Sequence, residues 1–307
     1  MDLQIGFERP DAYRGGVVSI GNFDGVHRGH QVMARTVALR ARELGMPAVV
    51  MTFDPHPTVL LAPDRIPPQL TTIQKRAELL EECGIDCVIA YPTDRNLLQL
   101  EPEEFFQLIV RDELEARALI EGPNFHFGHR RAGTIDTLRS LCSANNVRLQ
   151  ILEPVADDTG WMVSSTDIRK AIAEGRMEVA EELLDRPYSV SGLVGSGAQR
   201  GRQLGFPTAN IENITVMLPP DGVYAGRVEL EDGPRLAATH IGPNVTFGEL
   251  AKKVEVHLLD FAGDLYGQTL EVSLVERIRG TQKFDGVEAL KRQMEADIAR
   301  VREIVSL

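Results

Sequence analysis

The chain has 307 residues, of which 43% are hydrophobic and 25% are charged, so it can form two domains with ordinary cores. Its formal net charge of −12 at pH 7 argues against nucleic acid as the main ligand, because an acidic chain repels a phosphate backbone. A small nucleotide remains compatible with that charge, since local groups would hold it.

The cysteines and the apolar stretches further restrict the class of protein. Cys83, Cys87 and Cys142 are an odd, sparse set that fits neither a disulfide framework nor a four-ligand zinc site. Residues 1–14 are polar and lack the apolar region of a secretory signal, and no apolar stretch approaches the roughly 20 residues that span a bilayer. We therefore expect a soluble, cytoplasmic protein without membrane contact, and we leave open whether it forms a homo-oligomer.

The first half alternates between strand and helix patterns. Short apolar runs predict strands at 16–21, 47–53, 86–91, 118–121 and 148–152, and helical spacing occurs at 29–44 and 71–83. Thr71 or Thr72 is the expected N-cap of the second helix. This alternation predicts a Rossmann-like α/β domain, in which helices cover both faces of a parallel sheet and ligands bind at the carboxyl ends of the strands.

The sequence pattern changes from alternating strands and helices to short β-rich runs after a helical pattern at 168–185, which ends at Arg186-Pro187. Short β-rich runs separated by Gly, Pro and Asp occur at 188–194, 222–230, 237–241, 254–261 and 269–275. They predict a small antiparallel β-barrel. Apolar residues then recur every three or four positions from Val287 to Val305, which predicts a terminal helix packed on that barrel. We place the domain boundary at Arg186, giving domains 1–185 and 186–307.

The segment 21–30, Gly-Asn-Phe-Asp-Gly-Val-His-Arg-Gly-His, joins the first predicted strand to the first predicted helix. His27 and His30 are three residues apart and share a face at a helix start. N–H groups there favour a phosphate, two imidazoles can donate hydrogen bonds to a phosphoryl transition state, and the glycines allow close approach. The alternatives are a pair of surface histidines or two of three metal ligands, although the sequence points to no third ligand.

Three further segments follow predicted strands or open helices: 53–57, 122–133 and 164–169. Ser165 and Thr166 offer hydroxyl and N–H groups to phosphates, and Arg169 adds a positive charge one turn later. The alternative is a simple N-cap with an exposed arginine. Asn124 could recognise the edge of a base, or it could be a turn residue after Pro123.

Together these four segments resemble the adenylyltransferase half of the bacterial bifunctional riboflavin kinase/FAD synthetase family. The resemblance implies that FMN attacks the α-phosphorus of ATP, that pyrophosphate leaves, and that His27, His30 and Arg169 stabilise the developing charge while Mg²⁺ bridges the polyphosphate. It implies flavin contacts for Asn124 and Phe125. The residues that it assigns to ATP phosphates are Gly21, Asn22, Phe23, Asp24, Gly25, Gly29, Ser164, Ser165 and Thr166.

The second half contains no P-loop, but its segment 192–210 is rich in glycine. Such a loop can wrap a phosphate with its N–H groups, although it could also be a barrel corner. Thr208 and Asn210 face the same side of an extended segment and offer oxygens that suit Mg²⁺. The run Gly-Arg-Gln-Leu-Gly-Phe-Pro-Thr-Ala-Asn at 201–210 resembles the riboflavin kinase signature. The phosphate-binding residues that this implies are Gly195, Gly197, Gly201, Arg202, Gly205 and Phe206.

The same resemblance extends to later strands. It implies that Glu255 is the general base that removes a proton from the ribityl 5′-hydroxyl of riboflavin, whereas the alternative is a glutamate on the wet face of a strand. It also places Asp264, Arg279 and Phe284 in a region that approaches the flavin, with Arg279 and Phe284 as flavin-binding residues.

The expected function is therefore the conversion of riboflavin to FMN and of FMN to FAD, with ATP, riboflavin and FMN as small-molecule substrates. Three alternatives stay open: an enzyme with one working site, a non-catalytic flavin- or nucleotide-binding regulator, and adenylyl transfer to a different acceptor. The last of these leaves the kinase-like half unexplained.

Overall fold

The structure is a computed structural model that describes residues 1–153, 163–196, 201, 205–244 and 250–305. The chain forms two compact units, Met1–Ser164 and Ser165–Leu307. No helix among the described residues is long and apolar enough to cross a membrane.

The first unit contains a six-stranded sheet in the order β1-β4-β3-β2-β5-β6, in which every pair of neighbours is parallel. Its strands are β1 (Asp2–Ile5), β2 (Val17–Ile20), β3 (Ala48–Phe53), β4 (Cys87–Tyr91), β5 (Ala118–Glu121) and β6 (Arg148–Ile151). The five predicted strands and the α/β class are confirmed. The edge strand β1 was not predicted, so the phosphate motif follows the second strand of the chain.

Helices cover this sheet on both faces. They are α1 (Arg28–Leu44), α2 (Thr58–Leu61), α3 (Ile73–Glu82), α4 (Arg95–Gln99), α5 (Pro102–Phe105), a π-helix (Phe106–Glu113) and α6 (Ile135–Ala144), with short 3-10 turns at Pro10–Ala12, Pro63–Arg65 and His129–Arg131. Thr72 caps α3 by accepting a hydrogen bond from the N–H of Lys75. Strand residues alternate between the two cores: Val17 packs with α1 and α3, whereas Val18 packs with the π-helix and α6.

The order of the strands reverses between β2 and β5, which makes this pair the switch point of the sheet, where ligands bind outside the carboxyl ends. The two strands pair only at Val17 with Ala118 and at Val18 with Leu119. Beyond that point the N–H of Ile20 bonds to the Glu121 side chain instead. The strands therefore part at the edge where the predicted phosphate motif begins.

The second unit contains a closed barrel in the order β10-β11-β8-β7-β12-β9, with antiparallel neighbours, as predicted. Its strands are β7 (Tyr188–Gly195), β8 (Ala209–Glu212), β9 (Gly222–Leu230), β10 (Gly233–Gly242), β11 (Lys253–Leu258) and β12 (Thr269–Gly280). The terminal helix α9 (Val287–Ile304) packs on β9, β10 and β12, which confirms its predicted place.

The helical pattern predicted at 168–185 forms two helices, α7 (Ser165–Glu174) and α8 (Met177–Leu184), so the prediction of one continuous helix was wrong. Gly175 separates them with φ of +73°, a left-handed conformation that glycine adopts without steric cost. Asp185 ends α8, also with a left-handed backbone. Because α8 packs on β7 and β12, both helices belong to the second unit.

Candidate active sites

His27 and His30 lie together at the start of α1. His27 is the N-cap, outside the first helical turn, and its Nδ1 accepts a hydrogen bond from the His30 N–H at 3.4 Å. The two imidazole rings stack with centroids 3.7 Å apart and an interplanar angle of 19°. The structure therefore brings the two predicted catalytic histidines into direct contact.

The environment of His30 keeps its imidazole neutral. Burial lowers the pKa of His30 well below its ordinary value, and the neighbouring His27 and Arg76 lower it further. Its Nδ1 is buried, and no hydrogen-bond partner for that atom occurs among the described residues. A neutral imidazole can still donate one hydrogen bond to a phosphate oxygen without repelling the nearby arginine.

Two of the predicted phosphate-binding side chains turn into the protein. Phe23 is 1% exposed and its ring lies 4.9 Å from that of His30. Asp24 is 3% exposed, and its carboxylate accepts hydrogen bonds from the N–H groups of Leu70 and Thr71. We infer that these two residues act through the shape of the loop, whereas Asn22 is exposed at its surface.

The loop after β5 lies on the other side of the switch point. Asn124 is exposed there, and the Phe125 ring stacks on that of buried Phe127 with centroids 5.6 Å apart. A Cβ at Gly122 would lie 3.4 Å from Cε of Met33 in α1, so this loop begins directly against the helix that carries His30. The sequence placed Asn124 and Phe125 at this edge, and the strand order agrees.

The third group of predicted residues spans the division of the chain. Ser164 is the last residue of the first unit, whereas Ser165, Thr166 and Arg169 lie in the first turns of α7 in the second unit. Hydroxyls at the start of a helix are well placed to meet an anion. Their contribution to adenylyl transfer stays a prediction.

In the second unit, the predicted metal ligands lie on and beside the short strand β8. Thr208 borders a cavity of about 570 Å³ with Pro207, Phe261, Asp264 and Tyr266. Asn210, two residues later, borders a cavity of about 430 Å³ that is also lined by Lys252 and Lys253. One four-residue strand thus adjoins two spaces large enough for parts of small ligands.

The glycine-rich segment approaches Thr208 closely. A Cβ at Gly201 would lie 2.4 Å from the carbonyl oxygen of Phe206 and 3.2 Å from Oγ1 of Thr208, so only glycine fits there. The Phe206 N–H donates a hydrogen bond of 2.8 Å to the Gly201 carbonyl. Gly205 has φ of +90°, and the predicted residues Gly197 and Arg202 lie outside the described residues.

Gly195 and Phe206 are the other predicted phosphate-binding residues of this segment that the structure describes. A Cβ at Gly195 would lie 2.3 Å from the Glu212 carboxyl group, so a side chain there would require the flexible end of Glu212 to shift. The Phe206 ring meets the His257 ring edge-on with centroids 5.8 Å apart. The hydroxyl oxygen of Thr208 and the amide oxygen of Asn210 are ligands of the kind that Mg²⁺ prefers. Because the two residues border different cavities, their joint binding of one ion stays a prediction. Among the residues that the structure covers, no group of three or more His, Cys, Asp or Glu could hold a metal ion.

Glu255 is aligned with Asn210 and His240 across three neighbouring strands. Asn210 in β8 is the register partner of Glu255 in β11, and His240 in β10 is its partner on the other side. The flanking residues Val254 and Val256 are buried, so Glu255 faces away from the barrel interior, as the alternation predicted. The predicted base therefore lies in the same row as a predicted metal ligand.

The Glu255 carboxylate is held in its ionised form. Asn244 Nδ2 donates to Oε1 at 3.1 Å and to Oε2 at 3.2 Å, and His240 Nδ1 lies 3.8 Å from Oε2, near enough for an electrostatic interaction. Burial acts to raise the pKa of Glu255, but His240 and Asn244 outweigh it, and the net pKa lies below the ordinary value. An ionised carboxylate can accept a proton, as a general base must.

Arg279 is bound to a buried carboxylate. Its Nε and Nη2 donate to the two oxygens of Asp297, with the shortest distance 2.7 Å, and Gln293 donates to the same group. The guanidinium also lies 5.6 Å from the centre of the Phe284 ring. The structure therefore brings the two predicted flavin-binding residues together, with Arg279 anchored to α9.

Three functional candidates were missed by reasoning from sequence: Arg76, Asn244 and Asp297. Arg76 and Asp297 lie 52 and 18 residues from the groups that they contact, and Asn244 lies 11 residues from Glu255, so no local helix or strand spacing links any of these pairs. Asn244 follows a strand whose partner carries Glu255, so only the pairing of β10 with β11 reveals its role.

A parallel sheet with two stacked histidines at its switch point, followed by a closed antiparallel barrel that carries an ionised glutamate, defines a two-domain protein with two separate candidate sites. The family model described as FAD synthetase matches residues 9–167, and the model described as riboflavin kinase matches residues 184–305. The chain belongs to the family of bifunctional riboflavin kinase/FMN adenylyltransferases.

Relatives support this assignment over nearly the whole chain. The chain is 38% identical to the bifunctional riboflavin kinase/FMN adenylyltransferase of Pseudomonas fluorescens, covering 97% of this chain and 95% of the relative. It is 35% identical to that of Escherichia coli strain K12, covering 95% and 94%. A crystal structure from Streptococcus pneumoniae, described as a macrolide-efflux protein, has a TM-score of 0.85 and 31% identity, covering 98% of this chain and 99% of that one.

Proposed function

We propose that this chain makes both flavin cofactors in succession: residues 186–307 phosphorylate riboflavin to FMN with ATP, and residues 1–185 transfer AMP from a second ATP to FMN, giving FAD and pyrophosphate. Membership of the bifunctional family supports both steps. The division at Arg186 follows the change from α/β to β-barrel sequence, although α7 and α8 pack with the barrel unit. We also propose that the enzyme acts in the cytoplasm, without nucleic acid.

For the kinase step, Glu255 is the group that the geometry supports best as general base. Its ionised carboxylate would take the proton of the ribityl 5′-hydroxyl as that oxygen attacks the γ-phosphorus of ATP, and ADP would leave. Thr208 and Asn210 would hold the Mg²⁺ that arrives with ATP, and this ion neutralises phosphate charge when bound. Because Gly201 has no side chain, the backbone there can lie close to Thr208.

For the adenylyl-transfer step, no base is needed, because the FMN phosphate is already an anion near neutral pH. A phosphate oxygen of FMN would attack the α-phosphorus of ATP in line, and pyrophosphate would depart. His27 and His30 would donate hydrogen bonds to the oxygens that gain charge. Arg169 would add a positive charge, and Asn124 and Phe125 would contact the flavin.

The single observation that carries the kinase assignment is the row of Asn210, Glu255 and His240 beside Thr208, because it combines oxygens for a metal-bound nucleotide with an ionised base. The test is incubation of purified protein with riboflavin, ATP and Mg²⁺, followed by separation of FMN and FAD. We expect both products in sequence. Consumption of no nucleotide would favour a flavin-binding regulator, FMN alone would favour a single-site enzyme, and adenylyl transfer only to another acceptor would exclude FAD formation.

A further inference from the structure

Arg76 in α3 lies behind the phosphate loop, which we define as residues 21–27. Its side chain is 5% exposed, and the guanidinium is buried with the equally buried carboxylate of Asp24. Nη2 donates to Asp24 Oδ1 at 3.3 Å. A buried ion pair is costly to form unless further hydrogen bonds satisfy its other polar atoms. The other hydrogen bonds of the Arg76 guanidinium therefore indicate its role.

One further donor connects Arg76 to the start of the loop. Nη1 donates to Thr52 Oγ1 at 3.0 Å, and the Thr52 hydroxyl donates in turn to the Asn22 carbonyl at 2.8 Å. Thr52 is fully buried at the end of β3, next to β2 in the sheet. The guanidinium is thus linked to residue 22 through a single hydroxyl group.

A second connection holds the middle of the loop. Thr71 Oγ1 donates to Asp24 Oδ1 at 3.1 Å and accepts a hydrogen bond from the Gly25 N–H at 3.1 Å. Arg76 Nε also reaches this hydroxyl, at 3.5 Å. Residues 22, 24 and 25 are therefore all bonded to one buried network centred on Arg76.

The loop needs such support because its backbone is strained. Phe23 and Val26 have φ of 49° and 39°, in the left-handed region that non-glycine residues rarely adopt. Such conformations persist only when the surroundings determine them. Val26 directly precedes His27, so a relaxed loop would move the stacked histidines.

We propose that Arg76 is a positioning residue for adenylyl transfer, which fixes residues 22–25 from behind and thereby sets the place of His27 and His30. This inference rests on the proposed adenylyl-transfer function of the first unit. The fork shape of the guanidinium is essential, because only a planar group with several donors reaches Thr52, Asp24 and Thr71 together.

The test compares Arg76→Gln, Arg76→Lys and Thr52→Val in the full chain, with Arg139→Gln, an exposed arginine in α6, as the matched control. We expect kcat for conversion of supplied FMN to FAD to fall about 100-fold in Arg76→Gln, because misplacement by about 1 Å costs that much. Arg76→Lys should recover little of the loss. The kcat of Thr52→Val should fall about 10-fold. In the double variant this loss should not add to that of Arg76→Gln, because both changes break the same network. FMN formation should stay within about two-fold in all variants.

A readout independent of activity is the imidazole titration of His30, followed by NMR. In Arg76→Gln the pKa of His30 should rise towards its ordinary value, because a nearby positive charge and a rigid buried site are both lost. The inference is overturned if the kcat of Arg76→Gln stays within about two-fold of that of the unaltered protein. It is also overturned if the pKa of His30 is unchanged and the loss of kcat equals the fraction of unfolded protein. If the unaltered protein makes no FAD, the proposed function fails, and the titration alone then decides the positioning role.

Discussion

The Ile20 N–H donates a hydrogen bond of 2.8 Å to the Glu121 carboxyl group, across the point where β2 and β5 part. Glu121 is 2% exposed, and burial raises its pKa well above the ordinary value, although the bond from Ile20 opposes this rise. A side chain thus replaces the missing backbone partner of β2 just before Gly21.

The raised pKa of Glu121 makes the stability of the first unit depend on pH. The folded state binds this proton more tightly than the unfolded state, so the stabilisation is complete below the unfolded value of about 4.5 and is lost as pH rises through the folded pKa. We expect Glu121→Gln to keep a partner for Ile20 and to remove this loss. Urea unfolding across pH 4 to 9 would measure it.

Glu121→Leu is the contrasting variant, because it leaves the Ile20 N–H buried without a partner at every pH. This variant should lower the free energy of unfolding of the first unit by about 1–3 kcal/mol. Equal slopes of stability against pH in the unaltered protein and in Glu121→Gln would contradict the role given to this proton.

Replacement of both His27 and His30 by alanine should stop the reaction at FMN. Removing one donor to a charged transition state costs about 100- to 1,000-fold in kcat, and stacked rings should not contribute additively. Chromatography of products from riboflavin and ATP checks this, and FMN formation in the same molecule is the control. Equal damage to both steps in a folded protein would contradict the division of labour.

Glu255→Gln should lower FMN formation by about 100- to 10,000-fold, the usual contribution of a general base, and still convert supplied FMN to FAD. Asn244→Ala removes one of the groups that hold the pKa of Glu255 down, so that pKa should rise. The acid limb of the pH profile for FMN formation should then move to higher pH. A limb that stays in place would show that Asn244 does not influence the base.

Gly201→Ala should lower FMN formation about 100-fold, because the added Cβ would press on the Phe206 carbonyl and move Thr208. Gly280→Ala is the matched control, since its Cβ would meet its nearest atom at 3.7 Å, an ordinary contact. Steady-state kinetics with riboflavin and MgATP would compare them. Similar activity of the two variants would mean that the approach of Gly201 to Thr208 is not needed.

The strands of the sheet and the two loop motifs could be predicted from sequence because each is a contiguous pattern of apolar or glycine-rich residues. The break of the helical pattern at Gly175 could not, since a glycine inside a helix costs only about 1 kcal/mol and apolar spacing continues across it. The strand β1 was missed because residues 1–14 are polar as a whole, although Asp2–Ile5 has the same Leu-Gln-Ile pattern as the predicted strand that became Arg148–Ile151.

The supporting groups of both sites could not be predicted for a different reason. Asn244 reaches Glu255 only because β10 lies beside β11, and Arg76 reaches Asp24 only because α3 begins against the loop. Such contacts depend on strand order and helix packing, which local periodicity does not contain. Sequence motifs therefore located the groups that would meet the substrates but not the groups that hold them.

The strand β8 lies between β7 and β11 and is paired with β11 at only two positions, Asn210 with Glu255 and Ala209 with Val256. Removal of this segment would leave an open sheet and would separate Asn210 from Glu255. Closure of the barrel and alignment of Asn210 with Glu255 therefore depend on the same short strand, and a ligand that binds Asn210 in the folded barrel would stabilise the second unit.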